Sequence, residues 1–211
     1  TPVSNVQRDD FGVHVETDGA KLAAFDELVL ACHSDQALKI LGENATKDES
    51  AALGSIRYQP NKAVLHCDAG QMPRRKACWS SWSYRSQEGD IGVTYWMNKL
   101  QSIPESDPLF VTLNPSKPIP EHAIYDEVQF QHPVFDKPAL KAQQDVRRMQ
   151  GNNHTWFTGA WNRHGFHEDG IASAMRIVRE LTNRQQFKGM DNAYHEQSPE
   201  VEFPINMRTS A

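Results

Sequence analysis

The stretch Thr155-Trp-Phe-Thr-Gly-Ala-Trp-Asn-Arg-His-Gly-Phe-His-Glu-Asp-Gly-Ile-Ala-Ser-Ala-Met-Arg-Ile-Val-Arg-Glu-Leu181 decides how the chain is read. It predicts a short apolar strand over 155–158, a glycine-containing turn from Gly159 to about His167, and an amphipathic helix from Glu168 or Asp169. Ile171, Ala174, Met175, Val178 and Leu181 follow the i, i+3, i+4, i+7 spacing of one helix face, with Arg176, Arg179 and Glu180 on the other side. A strand that feeds a helix whose first turn holds Glu168, Asp169 and Gly170 leaves free backbone N–H groups at the turn. Such an end suits an anion or an electron-rich carbonyl oxygen. The same pattern also describes an ordinary strand-turn-helix unit with acidic capping, since most such turns bind nothing.

Composition narrows the class of protein. The 211 residues are 38% hydrophobic and 23% charged, enough for one core, or one core plus a lobe. A net charge of −5 argues against a general nucleic-acid binder. No apolar run approaches the ~18 residues of a membrane span. Cys32, Cys67 and Cys78 are widely spaced and odd in number, which points to a reducing, cytoplasmic setting rather than a disulfide framework. All three sit in apolar runs and read as core residues rather than nucleophiles. The chain starts at Thr-Pro, enters a strand almost at once and contains no G-x-G-x-x-G, so it is expected to be a piece of a longer protein whose N-terminal part is missing here.

Taken in order, residues 3–6 predict a short strand, and Asp9-Asp10-Phe11-Gly12 a turn. Residues 12–17 alternate as a strand, and Asp18-Gly19 gives a hairpin turn. The apolar run 25–32 predicts a buried strand. A helix over 34–41, N-capped by Ser34 and closed by Gly42, buries Ala37, Leu38 and Leu41. A short helix over 49–53 is capped by Asp48. Strands over 63–67, 77–84, 91–100, 109–113 and 124–130 predict a mostly antiparallel sheet lobe inserted between α/β elements. Pro138 opens a helix over 139–149. Polar residues 183–211 read as a loose wrap or a disordered tail. The fold class is α/β (α+β), organised as 1–45, a lobe over 46–150, a closing strand-turn-helix over 151–182 and the tail.

Three stretches offer chemistry of their own. Residues 72–85 mix cations with aromatics, and read as a basic turn feeding a strand with Trp79 and Trp82 packed into the lobe, rather than as a nucleic-acid surface. His154, His164 and His167 beside Glu168 and Asp169 suggest a metal, but His164 and His167 are three apart in a turn rather than four apart on a helix. Lys62 reads either as a solvated strand-end lysine or as a group that holds a water or acts as a base beside a cofactor.

The order of segments resembles the C-terminal half of flavin-containing amine oxidase-like proteins, and most closely the bacterial group of predicted NAD/FAD-binding proteins in that superfamily. The resemblance rests on residues 25–38, on Tyr58-Gln-Pro-Asn-Lys-Ala-Val-Leu-His66, on Val93-Thr-Tyr-Trp-Met-Asn-Lys-Leu-Gln101 and on Leu109-Phe-Val-Thr-Leu-Asn-Pro115. It continues in His132-Pro-Val-Phe135, Trp156-Phe-Thr-Gly-Ala-Trp161 and Gly165-Phe-His-Glu-Asp-Gly170, covering roughly 1–182.

The resemblance implies the C-terminal part of a two-part FAD-binding fold, with the glycine motif in the missing N-terminal segment. The backbone near Val3 would sit by the adenine. Gly159, Ala160, Trp161, His167, Glu168, Asp169, Gly170 and Ile171 would contact FAD, mainly through backbone. Where the superfamily usually has an acidic residue this chain has Ala160, so a contact there would run through backbone. Lys62 would take the place of the family's lysine near the flavin. The implied reaction is hydride transfer from a small-molecule substrate C–H to the flavin, with Trp96, Trp161 and Phe166 as candidate substrate-flanking aromatics. Two other readings stay open: a non-catalytic binding or interaction domain that holds no flavin by itself, and a small metalloprotein built on the three histidines.

Overall fold

The computed structural model describes residues 2–17, 20–87 and 90–196. The chain divides into two units, one of Thr1–Ser55 with Leu140–Ala211 and one of Ile56–Ala139. Together they mix helices with antiparallel sheets, as an α/β (α+β) chain does.

In the first unit β1 (Val3–Asp9), β2 (Gly12–Thr17) and β3 (Ala20–Phe25) form an antiparallel sheet. Asp9 makes the first turn: its Oδ1 accepts from the N–H groups of Phe11 at 2.8 Å and Gly12 at 3.1 Å. Gly12 has φ of +148°, and a Cβ there would lie 2.4 Å from the Phe25 carbonyl oxygen, so the close pairing of β2 with β3 needs glycine. The Asp18-Gly19 turn lies outside the described residues. Val6, Val13 and Val15 form the buried core of this sheet, with Leu28 and Ile40 packed on it.

The predicted strand over 25–32 is two pieces. Phe25 ends β3, and β4 (Leu28–Leu30) starts a second sheet after a bend at 26–27. β4 runs parallel to β10 (Thr155–Phe157), pairing Leu28, Val29 and Leu30 with Thr155, Trp156 and Phe157. Only Leu30 of β4 is buried, whereas all three residues of β10 are, and no further strand flanks the pair among the described residues.

α1 (Ser34–Leu41) closes at Gly42 and buries Ala37 and Leu41, while Leu38 is half-buried. Its cap is His33 rather than Ser34: Gln36 Oε1 accepts from the His33 N–H, and Ser34 is already helical. α2 (Lys47–Gly54) is capped by Thr46 rather than Asp48. Thr46 Oγ1 accepts from the Glu49 N–H at 3.1 Å and Glu49 Oε2 accepts from the Thr46 N–H at 2.8 Å. The same Glu49 forms a two-pronged ion pair with Arg8, at 2.6 and 2.8 Å, in which both side chains are about 95% buried (5% and 4% exposed). Arg8 also donates to Thr155 Oγ1 and the Asn44 carbonyl, so one cation ties β1, α2 and β10 together.

The second unit is a five-stranded antiparallel sheet in the order β6-β7-β8-β5-β9: β5 (Tyr58–His66), β6 (Trp82–Gln87), β7 (Asp90–Trp96), β8 (Phe110–Leu113) and β9 (Ile124–Pro133). β5 starts earlier than predicted and β9 runs further, because the two pair from Tyr58↔Pro133 onward. The segment 77–81 is not strand: a short turn at Lys76–Cys78 precedes β6. The predicted strand 91–100 stops at Trp96, where α3 (Met97–Gln101) begins. Asn98 explains the stop, since its buried amide donates to the carbonyls of Pro104 and Asp107 and accepts from the Leu109 N–H, folding 98–109 back on itself.

Trp79, just before β6, covers part of one face of this sheet. Trp79 meets Trp96 edge-on at 5.2 Å and Phe110 at 5.8 Å. Trp82 points to the other face and is 57% exposed, so only one of the two tryptophans packs as predicted. Cys78 is exposed, and Cys32 and Cys67 are half-buried, so none is a core residue. Beneath the cover, fully buried His66 bonds to Thr112 Oγ1 at 2.7 Å, Thr112 to Thr94 at 2.9 Å, and the Asp68 N–H donates to His66 Nδ1. Burial pushes the His66 pKa down, so the ring stays neutral within this network.

α4 (Lys137–Met149), with Pro138 in its first turn, leads back to the first unit, and α5 (His167–Glu196) ends the described chain. Where a loose tail from 183 was expected, α5 continues to Glu196, through a run without proline. Residues 197–211 lie outside the described residues.

Candidate functional site

The strand-turn-helix expected over 155–181 is present, and its geometry comes from polar side chains. β10 ends at Phe157, and the Thr158 N–H still bonds the Leu30 carbonyl. Gly159 then adopts φ of +146°, and a Cβ on it would lie 2.7 Å from Trp161 Nε1. That indole is buried and donates to the Cys32 carbonyl at 3.0 Å, locking the turn to the end of β4. Gln143 of α4 donates to the carbonyls of Trp161 and Arg163 at 2.9 and 2.6 Å.

Asp169 fastens the turn from the helix side. Its buried carboxylate accepts from the N–H groups of His164 at 3.2 Å and Phe166 at 3.1 Å, and Arg163 pairs with it at 3.5 Å. Ser173, one turn on, bonds Thr158 Oγ1 at 2.6 Å and accepts from the Gly159 N–H at 3.0 Å. These bonds choose the inward face of α5: Asp169, Ser173 and Ile177 are buried. The face predicted to pack instead points outward, with Ile171 61%, Met175 48% and Val178 55% exposed. Hydrophobic spacing was right about a helix and wrong about which side this chain covers.

At the start of α5 the Asp169 and Gly170 N–H groups turn back to the Phe166 carbonyl. The N–H groups of His167 and Glu168 have no such partner among the described residues, and both residues are exposed. The sequence-selected residues Gly159, Ala160, Trp161, His167, Glu168, Asp169, Gly170 and Ile171 thus fall in one turn and one helical turn. Their parts differ. The Trp161 and Asp169 side chains are occupied in holding the turn, while His167, Glu168 and Ile171 face outward. Val3 opens β1 and is exposed. Among the described residues no group of three or more His, Cys, Asp or Glu is placed to hold a metal.

The chemistry of this turn can be set against that of FAD. The exposed first-turn N–H groups suit its anionic or carbonyl oxygens, and Gly159 together with Ile171 offers small and apolar contacts. No acidic side chain reaches in at position 160, as the Ala160 in the sequence already dictates.

Lys62 belongs to the second unit. It lies within β5 rather than ahead of the strand, and its Nζ is ion-paired with Glu127 of β9 at 2.7 Å. Lys62 and Glu127 border a groove of about 740 Å³, whose walls include Val64, Asn114, Pro115 and Ile119. Asn114, quoted within 109–115 but given no role of its own from sequence, holds this corner. It adopts a left-handed φ of 48°, its N–H donates to the Lys62 carbonyl at 2.8 Å, and its Oδ1 accepts from the Lys62 N–H at 3.0 Å. The signal was available in Asn114-Pro115 after an apolar strand, a residue tolerant of the left-handed region beside one that stops pairing. Trp96 and Phe166, the other aromatics considered, are half-buried against Trp79 and 70% exposed respectively.

No family model matches this chain, and no curated protein matches it. Solved structures do. The CLA-producing fatty acid isomerase from P. acnes aligns over 84% of this chain and 46% of its own, with a TM-score of 0.55 and 15% identity. A protein described as a protoporphyrinogen oxidase from Exiguobacterium sp. 255-15 aligns over 85% of this chain and 46% of its own, with a TM-score of 0.60 and 12% identity. Cyclohexylamine oxidase from Brevibacterium oxydans IH-35A is a weaker match, with a TM-score of 0.47 and 13% identity over 86% of this chain and 48% of its own. The chain thus spans about half the length of the solved structures it matches, and with the first two it shares a fold.

Proposed function

We propose that this chain is the C-terminal portion of an FAD-dependent oxidoreductase of the amine oxidase-like superfamily. The observation that carries the reading is the incomplete parallel layer of the first unit. β4 and β10 form a parallel pair of three residues each, and parallel pairs are ordinarily buried inside a larger sheet. The pair runs into the Gly159 turn and α5, whose Ile171, Met175 and Val178 are unburied. An additional N-terminal segment carrying the missing strands and glycine motif would complete that layer. The likeness in fold to proteins named as a fatty acid isomerase and a protoporphyrinogen oxidase supports the reading, as does coverage of less than half of each.

In this proposal the backbone of Gly159, Ala160, His167, Glu168 and Gly170, with Ile171, contacts FAD from the first unit, and Val3 lies toward its adenine. Trp161 and Asp169 act by fixing the turn. The five-stranded sheet and its groove serve a small-molecule substrate, with Lys62 oriented by Glu127 and Asn114. FAD, when bound, would accept a hydride from a substrate C–H. The chain's own part is to position, to shape the substrate site and to keep helix N–H groups pointed at electron-rich oxygens. The test is the visible spectrum of the full-length protein after gentle purification and FAD addition, where flavin bands that survive desalting are expected.

A second reading is a binding or interaction domain without catalysis, favoured by the same exposed α5 face if its occupant is another protein. Retention of FAD by the full-length protein separates the two.

A further inference from the structure

Strand β9 has no neighbour on its outer side among the described residues. It bonds to β5 along one edge only, and its eight residues from Tyr125 to His132 are all exposed. Edge strands are ordinarily kept short, or blunted by lysine, proline or a bulge, because their free N–H and C=O groups recruit another strand. β9 is ten residues long, carries no lysine, meets proline only at its last residue, and pairs with β5 without a register shift from Tyr58 to Leu65. The opposite edge, β6, has six residues.

The side chains along β9 are self-complementary in one antiparallel register. Asp126, Val128, Phe130 and His132 share one face, and Glu127, Gln129 and Gln131 the other. With a two-fold axis at Gln129, perpendicular to the sheet, Val128 comes opposite Phe130 of a second copy and Asp126 opposite His132. Glu127 then meets Gln131, and Gln129 meets itself. Val128 against Phe130 is an aromatic–β-branched pair of the kind that stabilises antiparallel neighbours, and Asp126, whose Oδ1 accepts from the Glu127 N–H at 2.8 Å, keeps its Oδ2 for His132. His132 is already oriented, since its Nδ1 bonds the Asn61 amide at 2.8 Å and leaves Nε2 for a carboxylate. Moving the axis to Val128 would set Asp126 against Phe130, so the register at Gln129 is the selective one. The apolar cross-strand row Tyr84, Val93, Leu113, Ala63, Val128 would continue through the axis into Phe130 of the second copy.

We propose that β9 pairs antiparallel with β9 of a second copy of this chain, joining two five-stranded sheets into one sheet of ten strands through an isologous interface. The pairing does not depend on whether the chain holds flavin.

Light scattering of the full-length protein tests it, with a particle of twice the chain mass expected. Gln129→Cys, in a Cys78→Ser background, should give a disulfide-linked dimer on mild oxidation, because directly opposed strand residues lie within disulfide reach. Gln131→Cys should not, since it faces Glu127. Val128→Lys and Phe130→Glu should each return the mass to one chain, and the double variant, which sets lysine against glutamate, should restore the dimer. A monomeric full-length protein overturns the proposal, including the outcome in which a strand from beyond these residues covers β9. So does a dimer that Val128→Lys leaves intact and Gln129→Cys fails to link. Gln129→Cys replaces one exposed side chain, so its result stands even if a charge variant folds poorly.

Discussion

Replacing Arg8 with Met should cost about 3–5 kcal/mol of stability, the range for removing one partner of a buried ion pair. The structure argues for that range rather than the ~0–1 kcal/mol of a surface pair. The Arg8 and Glu49 side chains are 5% and 4% exposed and meet through two bonds of 2.6 and 2.8 Å. Met fills much of the volume but leaves the Glu49 carboxylate buried, with the Thr46 N–H still donating to it. The bonds to Thr155 and to the Asn44 carbonyl are lost as well. For a chain of this size the midpoint should fall by roughly 6–20 °C at ~2–4 °C per kcal/mol.

The companion variant Arg8→Met with Glu49→Leu removes both charges and should recover most of the loss, short of about 1 kcal/mol for the α2 cap. Thermal melts and urea titrations of wild type, single and double variants read this directly. Acid adds a second reading. Burial alone would raise the Glu49 pKa, but the hydrogen bonds and charge of Arg8, with those of Thr46, outweigh it and hold the pKa below its ordinary 4.5. The folded form therefore holds its proton less tightly than the unfolded chain. The pair's contribution is present above pH 4.5 and is lost as pH falls through the lowered value. A single variant within 1 kcal/mol of wild type, or a double variant no better than the single, would refute the assignment of this pair as the tie between β1, α2 and β10.

His66 is neutral when folded because burial lowers its pKa, so its contribution is intact above 6.5 and lost as pH falls below it. His66→Gln should flatten that part of the stability profile between about pH 8 and about pH 5, and parallel profiles would contradict it. Gly159→Ala forces a Cβ to within 2.7 Å of Trp161 Nε1 at a φ of +146°, and should lower stability by about 1–3 kcal/mol in urea unfolding. Met175→Lys should change residues 1–211 by no more than about 0.5 kcal/mol, since Met175 is half-exposed there. In the full-length protein it should lower stability and FAD retention, if that face is covered by the missing segment.

Local signals carried the fold a long way. Alternation placed β2, apolar spacing placed α1 and α5, and Gly42 marked the end of a helix because αL and related conformations favour glycine. The errors have physical causes in contacts distant along the chain. The break at 26–27 arises because Phe25 pairs with β2 while Leu28 pairs with β10, two partners that an apolar run cannot distinguish. The inward face of α5 was set by Ser173 and Asp169 bonding the Gly159 turn, against the stronger hydrophobic spacing of Ile171, Met175 and Val178. That conflict is informative, because the proposed reading supplies a neighbour for an apolar helix face left open. At the site, the turn itself was legible from Gly159 and Gly170. The roles of Asn114 and Glu127 around Lys62 were not, because Asn114, just past β8, and Glu127 of β9 lie 52 and about 65 residues away in sequence.

The central claim is that these residues form one side of a flavin site completed by an N-terminal segment. The direct measurement is FAD titration, followed by the visible spectrum after desalting, on the full-length protein and on residues 1–211 side by side. Retained flavin bands in the full-length protein and weak or no binding by residues 1–211 are expected. A full-length protein that shows no flavin bands after FAD addition would contradict it, and micromolar or tighter FAD binding by residues 1–211 alone would contradict the division of the site.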